Sequence, residues 1–353
     1  MTLPGKIILW LPAALYRLVT GVRNRLYDTG IIRSYSFSLP VICIGNITAG
    51  GTGKTPHVMY LAEKLAAMTD VAVLSRGYLR KSRGFRMITA SDIVSDAGDE
   101  PLMMANRLTA AKVFVDRDRA NGIRDIIHRY PETGTVILDD GFQHRAVKAG
   151  MNIILTSFDR LMTRDRILPL GRLRESLSAI KRADMIIVTK VPPSVSPQEK
   201  DSIRRELTSA GAHDIYFTGL KYEKIVPLFG GSNRDMTAAI SVLLVTGIAS
   251  PSPLVKYVSD LSSNVRHIAF PDHHRFTARD IDAIELSFNG LPGDDRIIIT
   301  TEKDAVRLKE IINIADRLAE VFYFMPVGIE FIDNETGFLS TIYGYAGKDK
   351  EHR

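Results

Sequence analysis

The run Val41-Ile42-Cys43-Ile44-Gly45-Asn46-Ile47-Thr48-Ala49-Gly50-Gly51-Thr52-Gly53-Lys54-Thr55-Pro56 decides the fold. Its apolar start reads as a strand buried on both faces, and residues 57–68 behind the glycines have helical periodicity. The glycines let the chain turn tightly, so successive backbone N–H groups face one point, and the positive end of the helix adds to the pull on an anion. This order predicts a phosphate loop in which Thr48, Ala49, Gly50, Gly51, Thr52 and Gly53 cradle a nucleoside triphosphate. Lys54 would reach the β- and γ-phosphates, and the Thr55 hydroxyl would ligate Mg²⁺. The first glycine of the usual G-x-x-x-x-G-K-[ST] pattern is Thr48 here.

Outward from the loop, short apolar runs at 41–45, 71–75, 113–115, 135–139, 152–156 and 185–189 alternate with helical patterns such as 57–68, 100–108 and 119–129. Alternation of this kind predicts an α/β fold with a doubly wound, mainly parallel sheet. After Val191-Pro192-Pro193 and a charged helix at 197–209, residues 215–228 read as two short strands. A second alternation follows, with strands at 242–246, 265–270, 296–301 and 321–324 and helices at 253–261, 278–288 and 304–313. The expected organisation is an N-terminal helix (1–28), a phosphate-loop domain (29–214), a two-stranded linker (215–240), a smaller α/β domain (241–345) and a charged tail (346–353). A cleft between two such domains is a common ligand site.

A phosphate-loop enzyme needs an acidic strand end for its metal, and the run 135–138 leads into Asp139-Asp140. Asp-Gly is also a turn signal, but beside the loop the metal reading prevails; which aspartate serves the metal stays open. Gln143 follows close enough to meet the phosphates. Thr189-Lys190, at a later strand end, is a candidate for contact with a base, although Pro192 stands where an aspartate is usual. In Gly98-Asp99-Glu100-Pro101, Asp99 is either a helix cap or a general base for an acceptor hydroxyl, and the residues alone slightly favour the cap. Asp272-His273-His274 suits proton handling, yet by itself it reads as a loop. Basic groups at 75–83, at Arg172-Leu173-Arg174-Glu175 and at Arg117 and Arg119 fit a small anion or lipid better than RNA, since no RNA-binding module accompanies them.

With 45% hydrophobic and 24% charged residues in 353, the chain is globular, and its net charge of +6 permits an anionic partner without naming one. One cysteine excludes an intrachain disulfide framework and fits a reducing cytoplasm. The apolar run 7–16 is too short to span a bilayer once Arg17 interrupts it. It reads as an interfacial helix with Trp10 and Tyr16 at head-group depth, in preference to a helix packed on the domain. On these residues alone, a nucleotide-dependent switch or maturation ATPase acting on a protein remains an alternative to an enzyme.

The ordered set Gly45-Asn46, Ala49 to Pro56, Leu74-Ser75-Arg76-Gly77-Tyr78, Gly98-Asp99-Glu100-Pro101, Asp139-Asp140-Gly141-Phe142-Gln143-His144, Gly171-Arg172-Leu173-Arg174-Glu175, Asp272-His273 and Thr301-Glu302-Lys303-Asp304-Ala305-Val306-Arg307 resembles the tetraacyldisaccharide 4′-kinase (lipid A 4′-kinase) family of Gram-negative bacteria. The resemblance implies two α/β/α domains with a two-stranded linker. It implies transfer of the γ-phosphate of ATP, with Mg²⁺, to the 4′-hydroxyl of a tetra-acylated disaccharide 1-phosphate, giving lipid IVA. It further implies that Lys54 and Arg174 act on the transferring phosphate, that Asp99 and His273 form an acid–base dyad, and that Arg76, Glu100, Arg119 and Glu175 lie around the substrate. His274 remains the alternative to His273. Because the dyad comes from two domains, the site is expected to assemble by domain closure. The chain is expected to be a monomer at the cytoplasmic face of the inner membrane, with no nucleic-acid partner.

Overall fold

The computed structural model describes residues 3–311 and 314–347. Most of the expected tail (348–353), the first two residues, and positions 312–313 of the helix expected at 304–313 lie outside the described residues. The strands in chain order are β1 (Val41–Gly45), β2 (Asp70–Ser75), β3 (Arg86–Ile88), β4 (Ala111–Val115), β5 (Thr133–Asp139), β6 (Met151–Ser157) and β7 (Met185–Thr189). They continue with β8 (Asp214–Tyr222), β9 (Val226–Pro227), β10 (Ser241–Thr246), β11 (Asn264–Ala269), β12 (Arg296–Thr301), β13 (Phe322–Met325) and β14 (Val327–Phe331).

Two sheets organise the chain. The larger has the order β14-β8-β7-β6-β1-β5-β2-β4-β3, parallel throughout except for its outermost strands β14 and β3. The smaller has the order β11-β10-β12-β13-β9, parallel except for β9. The α/β, mainly parallel fold is therefore as expected.

Strand β1 shows why the larger sheet is covered on both faces. Val41 and Cys43 join a core with Leu74, Phe114, Ile123 and Leu138, whereas Ile42 and Ile44 point into another with Val58, Leu61 and Leu65. That is the two-residue period of a strand, and burying each such aliphatic side chain contributes roughly 1.5–3 kcal/mol. The helix Lys54–Ala66 buries Val58, Leu61, Ala62 and Leu65, the i, i+3, i+4, i+7 stripe of one helical face. The loop between β1 and this helix is thus held by two well-anchored elements.

Two expectations about the second half need correction. Residues 215–240 do not form a self-contained two-stranded linker. Strand β8 extends the larger sheet beside β7 and pairs antiparallel with β14, from Tyr222↔Val327 to Thr218↔Phe331, while β9 joins the smaller sheet. The chain crosses between lobes twice, and the crossings lie side by side. The smaller domain does not run to 345 either. Strand β14 and the helix Glu335–Gly347 return to the larger sheet, where Phe338, Ile342 and Ala346 pack into the core with Ile42 and Val58. Local patterning shows that a segment is a strand or an amphipathic helix; it does not show which distant surface covers it.

The N-terminal helix Leu3–Asp28 is both docked and exposed. Ala13 is buried, Tyr16 Oη donates to the Arg174 carbonyl at 3.1 Å, and Asn24 Nδ2 donates to Glu175 Oε2 at 2.8 Å. Its other face leaves Leu11, Leu15, Leu18 and Val22 at 79%, 60%, 62% and 51% exposure, one stripe at i, i+4, i+7, i+11, with Trp10 beside it. Among the described residues, no helix is long and apolar enough to cross a membrane.

Candidate active site

The phosphate loop takes its shape from two left-handed glycines, Gly50 (φ 114°) and Gly53 (φ 81°), where any side chain would be strained. A Cβ at Gly45 would meet the Phe142 Cβ at 2.6 Å, so the end of β1 can lie close against the acidic turn after β5. Asn46 Nδ2 donates to Thr52 Oγ1 at 2.8 Å across the loop. A strap from 172 to 174 borders it: Ala49 N donates to the Arg172 carbonyl at 2.7 Å, and Arg174 N to the Ile47 carbonyl at 2.7 Å. On the other side, Thr189 Oγ1 donates to Thr52 O at 2.9 Å and Lys190 Nζ to Gly51 O at 2.7 Å. As placed, Thr189 and Lys190 brace the loop.

The two aspartates at the end of β5 have different surroundings. Asp140 faces cations: Arg174 Nη2 lies 2.9 Å from Oδ1, Nη1 lies 3.3 Å from Oδ2, and Lys54 Nζ is 3.8 Å from Oδ1. Burial raises its pKa, but Lys54 and Arg174 outweigh that and bring it down to about 2. Asp139 Oδ2 accepts from Ser75 Oγ at 2.9 Å, while Oδ1 is buried and has no partner among the described residues. Burial, reinforced by the charges of Glu100 and Asp140, pushes its pKa up to about 7. A buried carboxylate with one unpaired oxygen, beside a loop built for phosphates, fits a divalent cation. Arg174 also donates to the carbonyl and side chain of Asn46, which ties the loop, the strap and the acidic pair together.

The third component forms where the lobes meet. Asp99 opens the helix Asp99–Arg107 and is buried; His273 stands in a turn after β11, with φ 58°. His273 Nδ1 is 2.8 Å from Asp99 Oδ2. That hydrogen bond raises the His273 pKa against the effect of burial. Burial raises the Asp99 pKa, yet His273, Lys303 and Arg307 together hold it below the usual carboxylate value. Among the described residues, Asp99 Oδ1 accepts only the neighbouring Glu100 N–H, at 2.9 Å. His274 turns away: its Nε2 lies 3.1 Å from Asp280 Oδ2, and its ring stacks on Phe270. His273, not His274, reaches Asp99.

A sequence model of the tetraacyldisaccharide-1-P 4′-kinase family matches residues 5–344. The chain belongs to this 4′-kinase family. Proteins named tetraacyldisaccharide 4′-kinase from Phocaeicola vulgatus and Bacteroides thetaiotaomicron are 42% and 40% identical to it, covering 98% and 96% of this chain and 97% and 93% of their own. A crystal structure described as the apo form of the family's enzyme from Aquifex aeolicus, in complex with ATP, is 28% identical. It superposes with a TM-score of 0.74, covering 95% of this chain and 98% of that one.

Within this 4′-kinase fold, two expected substrate residues sit elsewhere than at a surface. Arg119 is 1% exposed and donates to the Asp116 and Asp139 carbonyls at 2.7 and 3.3 Å, so it supports the acidic strand end from beneath. Glu175 is also 1% exposed and is held by Arg182 at 2.5 Å and by Asn24 of the N-terminal helix. Both corrections have one cause: burial depends on packing that a charge pattern does not reveal. Arg76 is exposed. Glu100 Oε1 takes a hydrogen bond from Lys303 at 3.0 Å. Gln143 spends its Nε2 on the Asn46 carbonyl at 2.8 Å, leaving Oε1 buried and without a partner among the described residues. Asn46, Ser75, Lys303 and Arg307 all stand inside the motifs quoted above, yet the sequence by itself assigns none of them a role.

Proposed function

We propose that this chain phosphorylates the 4′-hydroxyl of a tetra-acylated disaccharide 1-phosphate with ATP, at the surface of a membrane. The observation that carries the reading is the Asp99–His273 pair, an acceptor-side base assembled from two lobes in a protein that already has a phosphate loop. Thr48 to Thr55 supply backbone N–H groups to the triphosphate, and Lys54 neutralises its terminal phosphates. Thr55 and Asp139 would hold Mg²⁺, and Asp140 keeps Lys54 and Arg174 facing the phosphates. When bound, Mg²⁺ neutralises charge on the β- and γ-phosphates.

Phosphoryl transfer needs alignment and charge neutralisation more than a strong base. As the 4′-oxygen bonds to the γ-phosphorus, its proton passes to Asp99, and ADP leaves with the electron pair of the broken P–O bond. Lys54 and Arg174 stabilise the charge on the transferring group. Lobe closure brings His273 onto Asp99 and excludes water. The exposed Leu11, Leu15, Leu18 and Val22 stripe supports an interfacial helix. Its opposite face is bonded to Arg174 and Glu175, so the membrane surface and the phosphate site are mechanically continuous.

Incubation of the purified chain with labelled ATP, Mg²⁺ and tetraacyldisaccharide 1-phosphate in mixed micelles tests this. Label in the lipid product at the 4′ position is the expected result. Hydrolysis of ATP indifferent to the lipid would refute it and favour a nucleotide switch.

A further inference from the structure

We propose that Lys303 is a positioning residue for the dyad: it fixes the proton of the neutral His273 imidazole on Nδ1 and opposes its conversion to an imidazolium, so that above neutral pH Asp99 meets the acceptor hydroxyl as a carboxylate without an imidazolium partner. The proposal rests on the kinase reading above and deepens it.

Lys303 belongs to the short helix Glu302–Leu308 of the second lobe, and its side chain is only 16% exposed. Its ammonium lies 3.0 Å from Glu100 Oε1, 3.6 Å from Asp272 Oδ1 and 3.9 Å from Asp99 Oδ2. Burial disfavours the charge, but these three carboxylates more than compensate and keep the amine protonated. The fourth neighbour is His273 Nε2, at 3.3 Å. An ammonium has three donors and no acceptor, so towards Nε2 it can only donate. Nε2 must then present its lone pair, which leaves the single ring proton on Nδ1, where Asp99 Oδ2 accepts it.

The alternatives meet Lys303 unfavourably. The Nε2–H tautomer would aim a donor at a donor and leave Nδ1 facing a carboxylate with no proton between them. An imidazolium would place two positive groups 3.3 Å apart. The other groups around the ring favour protonation: Asp99 at Nδ1, and Asp272 Oδ2 at 3.7 Å from Nε2. Arg307 Nε, 3.8 Å from Asp99 Oδ2, acts on the aspartate, and the Tyr78 ring, 5.4 Å away, packs on the imidazole. Lys303 is thus the group that opposes protonation of His273 from the ring's far side. Without Lys303, the two carboxylates beside the ring would favour a tight imidazolium–carboxylate pair and a weaker base.

Two measurements test this. In the wild-type protein labelled with ¹⁵N-histidine, the His273 signals, assigned by their loss in His273→Gln, should show a proton on Nδ1 and a bare Nε2 above neutral pH. A proton on Nε2 there overturns the proposal without any variant. In the kinase assay, Lys303→Met should move the acid limb of kcat towards higher pH by about one unit or more, because an imidazolium is no longer opposed. KM for ATP should be unchanged, and Lys303→Arg should restore the limb. A fall in kcat that is uniform across pH would reduce Lys303 to a structural role and overturn the proposal. Absence of lipid phosphorylation by the wild type would instead remove the kinase reading, while the tautomer measurement would still decide the role of Lys303.

Discussion

His273 Nδ1 and Asp99 Oδ2 lie 2.8 Å apart although 174 positions separate the two residues in the chain. The aspartate begins a helix on the larger lobe and the histidine occupies a strained turn of the smaller one, so the pair exists only while the lobes are in contact. Non-glycine residues with left-handed backbone also occur at Asp140 and Lys190, both beside the phosphate loop. Strain of this kind is held in place by surrounding structure and collects at functional sites.

Asp99→Ala should lower turnover by about 100-fold or more, the usual scale for losing a general base, while leaving ATP affinity unchanged. Steady-state kinetics beside nucleotide titration separate the two. Lost ATP affinity with normal turnover at saturation would defeat the general-base role.

The dyad should also appear in stability against pH. The Asp99 hydrogen bond raises the His273 pKa above its ordinary 6.5. The stabilisation tied to that shift is therefore complete below 6.5 and fades as pH rises through the folded-state value. For Asp99 the shift is downward, so its share is complete above the ordinary 3.8 and is lost on acidification through the folded-state value. Melting of His273→Gln beside the wild type should show a larger Tm deficit at pH 6 than at pH 9. An equal deficit at both would mean that His273 does not gain a charge beside Asp99 at pH 6.

Leu15→Asp with Leu18→Asp should weaken binding to anionic liposomes, because two charges interrupt the exposed stripe of the N-terminal helix. Turnover on detergent-dispersed lipid should survive, since neither side chain faces the site. Point substitutions are preferable to deletion here: removing the helix would also strip Glu175 of its Asn24 partner. Unchanged flotation would remove the membrane role.

Arg107 clasps the crossing between lobes. Its guanidinium lies 3.1 Å from Glu302 Oε2 on the smaller lobe and 2.6 Å from Glu223 Oε1 at the end of β8, and it donates to the Val327 carbonyl at 3.2 Å. Burial raises the Glu302 pKa, and Arg107 opposes that. Arg107→Met should destabilise the protein by about 2–4 kcal/mol in urea unfolding, because Glu302 is left buried without its cation. Adding Glu302→Met should recover most of the loss; failure to recover would show that the clasp acts through other contacts.

Local chemistry in the sequence was enough for the phosphate loop, the strand–helix alternation and the acidic strand end. Glycines, a Lys-Thr pair and an apolar run carry their meaning within a dozen residues. Asp99 and Asp272-His273 were visible only as ambiguous pieces, a helix cap and a loop, until the family resemblance joined them. Arg119 and Glu175 are legible in the sequence as charges but not as buried ones, because a charged side chain gives no sign that a neighbouring helix or strand will cover it.

The sequence by itself determined that the chain has a glycine-rich loop of the phosphate-loop type between a buried strand and a helix, since that device depends on backbone conformation a few residues long. Tertiary structure alone decided the rest of the site. It made β14 and the last helix part of the larger lobe, and it laid the strap 172–174 along the phosphate loop. It set His273 rather than His274 against Asp99, and it surrounded the Lys303 ammonium with three carboxylates and the His273 ring. Pairings across a hundred or more residues depend on which surfaces are buried together, and that is a property of the whole packed chain.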